Sequence, residues 1–456
     1  MTAPPLDTPS GRPGPRIAWF SPMPPSSSGI AAYSAEILPG LRARGLTVDV
    51  YVDPDQGADP GEAILGAQDF VWRHRRAPYD LVIYQLGNAA CHGYMWGYLF
   101  RYPGLVVLHD AQVHQARAQA LLGRWDARRD DYLEEFAANH PAAPPDAGRL
   151  VAEGLGGSLF GLWPHVHLLL RSARLTVVHS DALARRLADE YQAPVHSVPM
   201  GIADPLATAT VVAAAQVRAR HGLGPQHLVV GAFGGLTPEK RLPQVLETVA
   251  ALAPAHPELQ VLMVGTPALH YDVVDDAAAH GLADRVHFTG FVPDAELPAH
   301  LQAADICCCL RWPTNRETSA SWLRAVAAGR PTIVTDLAHQ REVPVIDPRG
   351  WRSTGPDPIA VAVPILEEGT ALLAALAELA RNPDRRTRLG VAARRYWQAH
   401  HTLDHMADAY RAAIAAAMAA PAPRPALPLH LRDSGGERLA ALLAPFGVEV
   451  PAGVAE

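Results

Sequence analysis

The chain has 456 residues, and at ~100–200 residues per domain it has length for two to four domains. Hydrophobic residues make up 49% and charged residues 19%, a globular balance that excludes a disordered chain. The net charge of −7 argues against a general nucleic-acid or anionic-membrane binder, which leans basic.

The first residues, through Pro15, are rich in Pro, Gly and Thr and carry no apolar signal core, which predicts a cytosolic chain with a frayed start. From Arg16 to about Val345, short runs rich in Val, Ile and Leu alternate with longer amphipathic segments. That alternation predicts an α/β architecture of parallel sheets covered by helices. The first strand series reads Arg16–Phe20, Thr47–Val52, Leu81–Tyr84, Leu105–Leu108, Leu175–Val178 and His196–Pro199. The cluster Arg73, Arg75 and Arg76 reads as a solvated face or a weak peripheral contact with anionic lipid.

The uncharged stretch Leu81 to Phe100 has about the ~20 residues of a bilayer span, but Gln85, Asn88, His92 and three glycines interrupt it, so no crossing is expected. Between Gln112 and Arg171 lies a mostly helical region, either an insertion or the part that meets a second substrate. A second strand series follows: Leu228–Phe233, Gln260–Val264, Val286–Thr289, Ile306–Leu310 and Thr332–Thr335. Cys307, Cys308 and Cys309 fall inside it and read as small core residues of a reducing compartment.

The economical reading is two doubly wound domains, 1–204 and 226–393, joined by a linker at 205–225. A helix at 394–420 carries Tyr396, Trp397 and Tyr410 and is long enough to cross back onto the first domain. Residues 421–456 form a Pro-rich spacer and a short tail. Both series place their ligand loops at the carboxyl ends of the strands, so the chemistry is expected in a cleft between the domains.

Four constellations carry that chemistry. The loop Pro22–Ile30 runs into a helical pattern, and Gly29 lets a ligand approach the free amides there, although a simple turn fits equally. Gln85, Asn88 and His92 follow one strand, and His109, Asp110 and His114 follow the next; amides and imidazoles at adjacent strand ends grip sugar hydroxyls. A zinc site from His92, His109 and His114 is allowed by composition only, and Asp53-Pro54-Asp55 reads as a turn. The run from Gly231 through Gly234 and Gly235 to Lys240 and Arg241 brings a flexible cation to the strand ends, where a pyrophosphate can sit. Last, Thr318 or Ser319 caps a helix ended by Gly329; its start favours an anion, and Glu317 just ahead of it can accept hydrogen bonds from sugar hydroxyls.

In this order and spacing these strings resemble the GT-B-fold retaining glycosyltransferases that use nucleotide-sugar donors, the GT4-like group. The resemblance covers roughly Arg16 to Tyr410 and also rests on Val198-Pro199-Met200-Gly201 and Thr289-Gly290-Phe291. It implies a GT-B fold of two Rossmann-like domains and transfer of a sugar from a nucleoside diphosphate sugar to an acceptor hydroxyl, with no cofactor and no catalytic metal. It implies that His109 positions the donor sugar, Glu317 binds its hydroxyls, and Lys240, Arg241 and the amides around Thr318 and Ser319 hold the diphosphate together with Gly29 and Gly235. Gln85, Asn88, His92 and Asp110 are then contacts for acceptor or sugar. The chain departs from the family at two places. Gly235 stands where an Arg usually precedes the Lys by five residues, and Arg324 stands where the second of two glutamates is usual. The rivals are a GT-B epimerase acting on the same donor and a catalytically silent GT-B scaffold.

Overall fold

The computed structural model describes residues 14–26, 28–53, 55, 64–123, 128–208, 210–432 and 436–448. Ser27, Pro54, most of the first 15 residues and the end of the tail lie outside the described residues.

The first sheet contains β1 (Arg16–Phe20), β2 (Thr47–Val52), β3 (Ile64–Gly66), β4 (Leu81–Leu86), β5 (Leu105–Leu108), β6 (Leu175–Val178) and β7 (Val195–Ser197). Its order is β3-β2-β1-β4-β5-β6-β7, parallel throughout. The second sheet contains β8 (Leu228–Phe233), β9 (Leu259–Val264), β10 (Val286–Phe288), β11 (Ile306–Cys309), β12 (Thr332–Thr335), β13 (Val345–Asp347), β14 (Arg352–Ser353) and β15 (Ala360–Val363). Its order is β10-β9-β8-β11-β12-β15-β13-β14, with only the last pair antiparallel. Helices cover both faces, so β4, β8 and β9 are buried at all six positions and read as unbroken apolar runs. Cys307 and Cys308 are free and buried in β11, as core residues.

Four strands escaped the sequence reading. β3 has three half-buried residues beside a Gly- and Pro-rich stretch, and β13 to β15 lie past the point where the alternation was read to stop. The linker is also more structured than expected. Within 205–225, Thr210 caps a helix at Val211–Arg220, and Val217 and Leu223 pack with Phe233, Leu262 and Leu301 of the second domain.

The crossing element is two helices, Pro383–His400 and Leu403–Ala419, where the sequence reading placed one over 394–420. The chain breaks because the His401 carbonyl accepts the amide of Ile202 at 2.8 Å and Thr402, in extended conformation, caps the second helix through the amide of His405. Trp397 Nε1 donates to the Ile202 carbonyl at 3.1 Å, and His401 Nδ1 donates to the Met200 carbonyl at 2.9 Å. These bonds weld the crossover to the linker. One apolar cluster accordingly runs from Trp19 and Ile37 in the first domain through Met406 and Tyr410 to Trp397, Trp322 and Val334 in the second.

The described residues of 112–171 are mostly helical, with a small core of their own around Leu121, Tyr132 and Phe136, where Arg117 donates twice to the buried Glu135. After the irregular stretch 421–428, the short helix Leu429–Arg432 places His430 Nε2 at 2.7 Å from Glu135. Among the described residues no helix is long and apolar enough to cross a membrane.

Candidate functional site

In the first sheet the strand order turns back between β1 and β4, and in the second between β8 and β11. Connections leave such a pair in opposite directions and open a crevice at the carboxyl ends. The loops after these four strands hold most of the polar candidates.

On the first-domain side, Ser28 accepts the amide of Ile30 and starts the helix Gly29–Ala43. Gly87, just past β4, is glycine because three groups converge on it. A methyl there would lie 2.6 Å from Ile30 Cδ1, 3.0 Å from Asp110 Oδ2 and 3.2 Å from His92 Nε2. His92 donates through Nδ1 to the Gln85 carbonyl at 2.9 Å, which leaves Nε2 as a buried acceptor without a partner among the described residues. Burial pushes its pKa down to about 4, so it is neutral at physiological pH.

His109 donates through Nε2 to Gln85 Oε1 at 2.8 Å, and its Nδ1 lies 3.2 Å from His179 Nε2. Its ring meets that of Tyr33 edge-on at 4.7 Å, and the Tyr33 hydroxyl is 2.6 Å from that of Tyr410 on the crossover. Burial, with His179 adding, holds the His109 pKa well below its usual value. Asp110 accepts the Asn88 amide at 2.7 Å, while burial raises its carboxyl to about 6.

On the second-domain side, Gly234 adopts φ +86°, a left-handed conformation open to glycine. The Lys240 ammonium folds under it, donates to the Phe233 carbonyl, and sits 2.6 Å from where a Gly234 methyl would be. Burial first, and then the Arg311 charge, lowers its pKa to about 7. Arg311, two residues past β11, pairs with Glu317 at 2.9 Å, and the Thr314 hydroxyl donates to the other Glu317 oxygen at 2.9 Å. Ser319 caps the helix Ala320–Ala327 by accepting the amide of Trp322, so the amides of Ala320 and Ser321 have no intrahelical acceptor.

The two sides touch. Arg324 donates to Glu36 at 2.9 Å, Ser180 donates to Glu342 at 3.0 Å, and the Thr318 hydroxyl donates to the His179 carbonyl at 3.5 Å. Asp110, Arg311 and Glu317 share one cavity wall, and the Arg311–Glu317 pair is close enough to act electrostatically on both Asp110 and Lys240. A cavity of about 340 Å³ opens here, lined by Gly29, Asn88, His92, His109, Asp110, Arg311, Glu317 and Thr318 among others. A second, of about 320 Å³, lies beside it against Gly234, Gly235, Val264, Phe291 and Ser321.

Residues 227–368 match the family model described as "Glycosyl transferases group 1". A 2-deoxystreptamine glucosyltransferase of Streptomyces kanamyceticus is 32% identical over 170 residues, which is 36% of this chain and 42% of that protein. The chain thus matches less than half the length of this curated relative. Among solved structures, the sucrose-phosphate synthase of Thermosynechococcus elongatus superposes with a TM-score of 0.60 at 18% identity, over 88% of this chain and 100% of that one. HepE of Anabaena, solved with UDP-glucose, gives a TM-score of 0.57 at 16% identity, over 88% and 99%. With two Rossmann-like sheets facing across a cleft, the chain has the GT-B fold. Within its second domain, residues 227–368 are the part that matches the group 1 glycosyltransferase model.

Within the glycosyltransferase domain the structure departs from several sequence expectations. Arg241 turns away from the cleft and binds Glu368 through Nε at 2.8 Å, so its charge is spent on the start of the helix Glu368–Arg381. Ser319, by contrast, caps its helix as the sequence reading allowed, and the backbone amides remain as the helix's free donors. Gly235 is exposed at the mouth of the second cavity. Lys240 lies behind the Gly234 turn and lines neither cavity.

In the first domain, Gln85 is fully buried behind His109 and is absent from the cavity wall, so it orients the imidazole and does not reach a sugar. His114 joins His140, His165 and Tyr132 in the insertion, apart from His92 and His109. Asp55 donates its amide to Asp53 Oδ1, a turn. Among the described residues no group of three His, Cys, Asp or Glu side chains is placed to hold a metal ion. The sequence reading missed Glu36, His179 and Arg311. Position was the available signal for two of them, since His179 directly follows β6 and Arg311 lies at the carboxyl end of β11, the same placement that singled out His109.

Proposed function

We propose that this protein transfers a glycosyl group from a nucleoside diphosphate sugar to an acceptor hydroxyl, with retention of configuration at the sugar carbon. The reading is carried by the cavity in which His109 and Asp110 of the first domain face the Arg311–Glu317 pair of the second, at the carboxyl ends of the two sheets. That is where a donor's diphosphate and its sugar must be held by opposite walls. The second cavity, with Val264, Phe291 and Val292 on its wall, suits a planar base. The first cavity offers His92 Nε2, Asn88 and Asp110 to sugar hydroxyls.

As the bond to the sugar breaks, negative charge gathers on the departing diphosphate. Lys240, which gains a proton from solvent when the diphosphate arrives, holds its cationic form beside that charge, and the amides of Ala320 and Ser321 add the positive end of their helix. His109, pinned by Gln85, His179 and Tyr33, offers a fixed imidazole edge to the sugar. The leaving phosphate oxygen then accepts the acceptor's proton on the same face, which gives retention without a protein nucleophile. Because protein cations and helix amides compensate the diphosphate, the reaction proceeds without a bound metal and chelation with EDTA leaves its rate unchanged.

The name of the Streptomyces relative supports glucose as the first donor sugar to test and an amino-bearing polyol as the first acceptor; Asp110 and Glu36 on the cleft wall suit an ammonium group. The test is a thermal-shift panel of UDP, GDP, ADP and TDP and their glucose conjugates, followed by NMR of the product. One nucleotide should raise the melting temperature by mass action, and the product should keep the donor's anomeric configuration. No shift with any nucleotide, or an inverted product, contradicts the reading.

A further inference from the structure

Arg324 occupies a singular position: it is the residue shared by the linings of the two cavities. It stands on the helix Ala320–Ala327, three residues after Ser321 and so on the same face. Ser321 in turn lies against the Gly234 turn, its Oγ 3.3 Å from where a methyl on Gly234 would sit. Any ligand with its base in one cavity and its sugar in the other passes its linking phosphates by this guanidinium.

The other cations near that path supply at most one charge, that of Lys240, to two phosphates. Lys240 is folded behind the Gly234 turn onto the Phe233 carbonyl, Arg311 is paired with Glu317, Arg241 with Glu368, and position 235 is glycine. Among the described residues the Arg324 guanidinium has a single partner, Glu36, at 2.9 Å across the cleft, and both side chains retain contact with solvent at 19% and 25% exposure. An ion pair between two domains whose partners both keep contact with solvent can be exchanged, so a doubly charged diphosphate can compete for the guanidinium.

We propose that Arg324 exchanges Glu36 for the donor's diphosphate, supplying the cation that Gly235 does not and releasing a latch between the domains as the donor enters. The inference rests on the donor reading above and goes beyond it in assigning a binding and coupling role to an arginine at this helix position. The flexible four-bond stem lets the guanidinium reach either side, and its planar fork matches two phosphate oxygens. Glu36, freed by the exchange, is left on the cleft wall as a carboxylate facing the acceptor side.

The experiment is calorimetric titration of UDP, GDP, ADP and TDP, each alongside its nucleoside, into wild type, Arg324→Gln and Glu36→Gln, with melting curves to establish that each variant is folded. Wild type binds one diphosphate. In Arg324→Gln that diphosphate binds roughly ten- to a hundredfold more weakly, the scale of a lost charge-assisted hydrogen bond, while its nucleoside binds within about twofold of wild type. Glu36→Gln, which frees the guanidinium, binds the diphosphate more tightly than wild type. The inference is overturned if Arg324→Gln binds the diphosphate as wild type does, if it weakens diphosphate and nucleoside alike, or if Glu36→Gln weakens the diphosphate. Should wild type bind none of the four diphosphates, the donor reading fails first and this inference falls with it.

Discussion

With its ammonium folded onto the Phe233 carbonyl and its pKa lowered to about 7, Lys240 is mostly neutral at about pH 8, and an arriving diphosphate restores its charge. Nucleotide binding at that pH therefore takes up a proton, which calorimetry in buffers of different ionisation enthalpy measures directly; no uptake in wild type, or equal uptake in Lys240→Ala, contradicts the assignment. The same substitution should lower kcat by about 10²–10³, the scale of losing one preorganised donor. Asp110 shifts the other way. Its carboxyl ionises near pH 6 in the fold but lower in the unfolded chain, so the folded state binds the extra proton and this group's contribution to stability falls as pH rises through that window. Asp110→Asn should thus gain melting temperature relative to wild type between about pH 4.5 and about pH 7.5. A constant or shrinking difference counts against the raised pKa. His109 and Asp110 were legible because they end an apolar strand, whereas the capture of Arg241 by Glu368 was not. Those two residues are 127 positions apart, and nothing local in the sequence announces the pairing.

At the scale of elements, the join between linker and crossover decides how rigidly the cleft walls are held. Gly201 belongs to a string that the sequence singled out, and the structure supplies its reason. A methyl there would lie 2.6 Å from the Thr402 carbonyl oxygen and 2.9 Å from the Met406 Cβ. Gly201→Ala must push the linker off the second crossover helix and strain the bonds from Ile202 and to Met200; it is expected to cost about 1–3 kcal/mol, the usual penalty of overpacking, read as a shift in the denaturation midpoint. An unchanged midpoint would mean that the corner yields freely. The sheets themselves were readable, since β1, β2, β5, β6, β8 and β12 coincide with their apolar runs residue for residue. The break at His401 was not. A helical pattern runs through both crossover helices, and what interrupts it is a tertiary bond from Ile202.

At the scale of the molecule, the first cavity exists because two sheets with the same winding point their carboxyl ends at each other and the crossover keeps them there, while the second opens at the carboxyl ends of the second sheet alone. Tyr410, on the second crossover helix, reaches the Tyr33 hydroxyl beside His109, while the first packs on the helix that begins at Ser319. The segment that joins the domains thus also braces groups on each wall. A crystal structure with the nucleoside diphosphate identified by the panel tests this arrangement most directly. The account predicts the base between Val264 and Phe291, the diphosphate beside Lys240, Arg324 and the amides of Ala320 and Ser321, and the sugar-facing phosphate turned toward His109. A nucleotide seated elsewhere, or one whose phosphates point away from the helix start at Ser319, would contradict it.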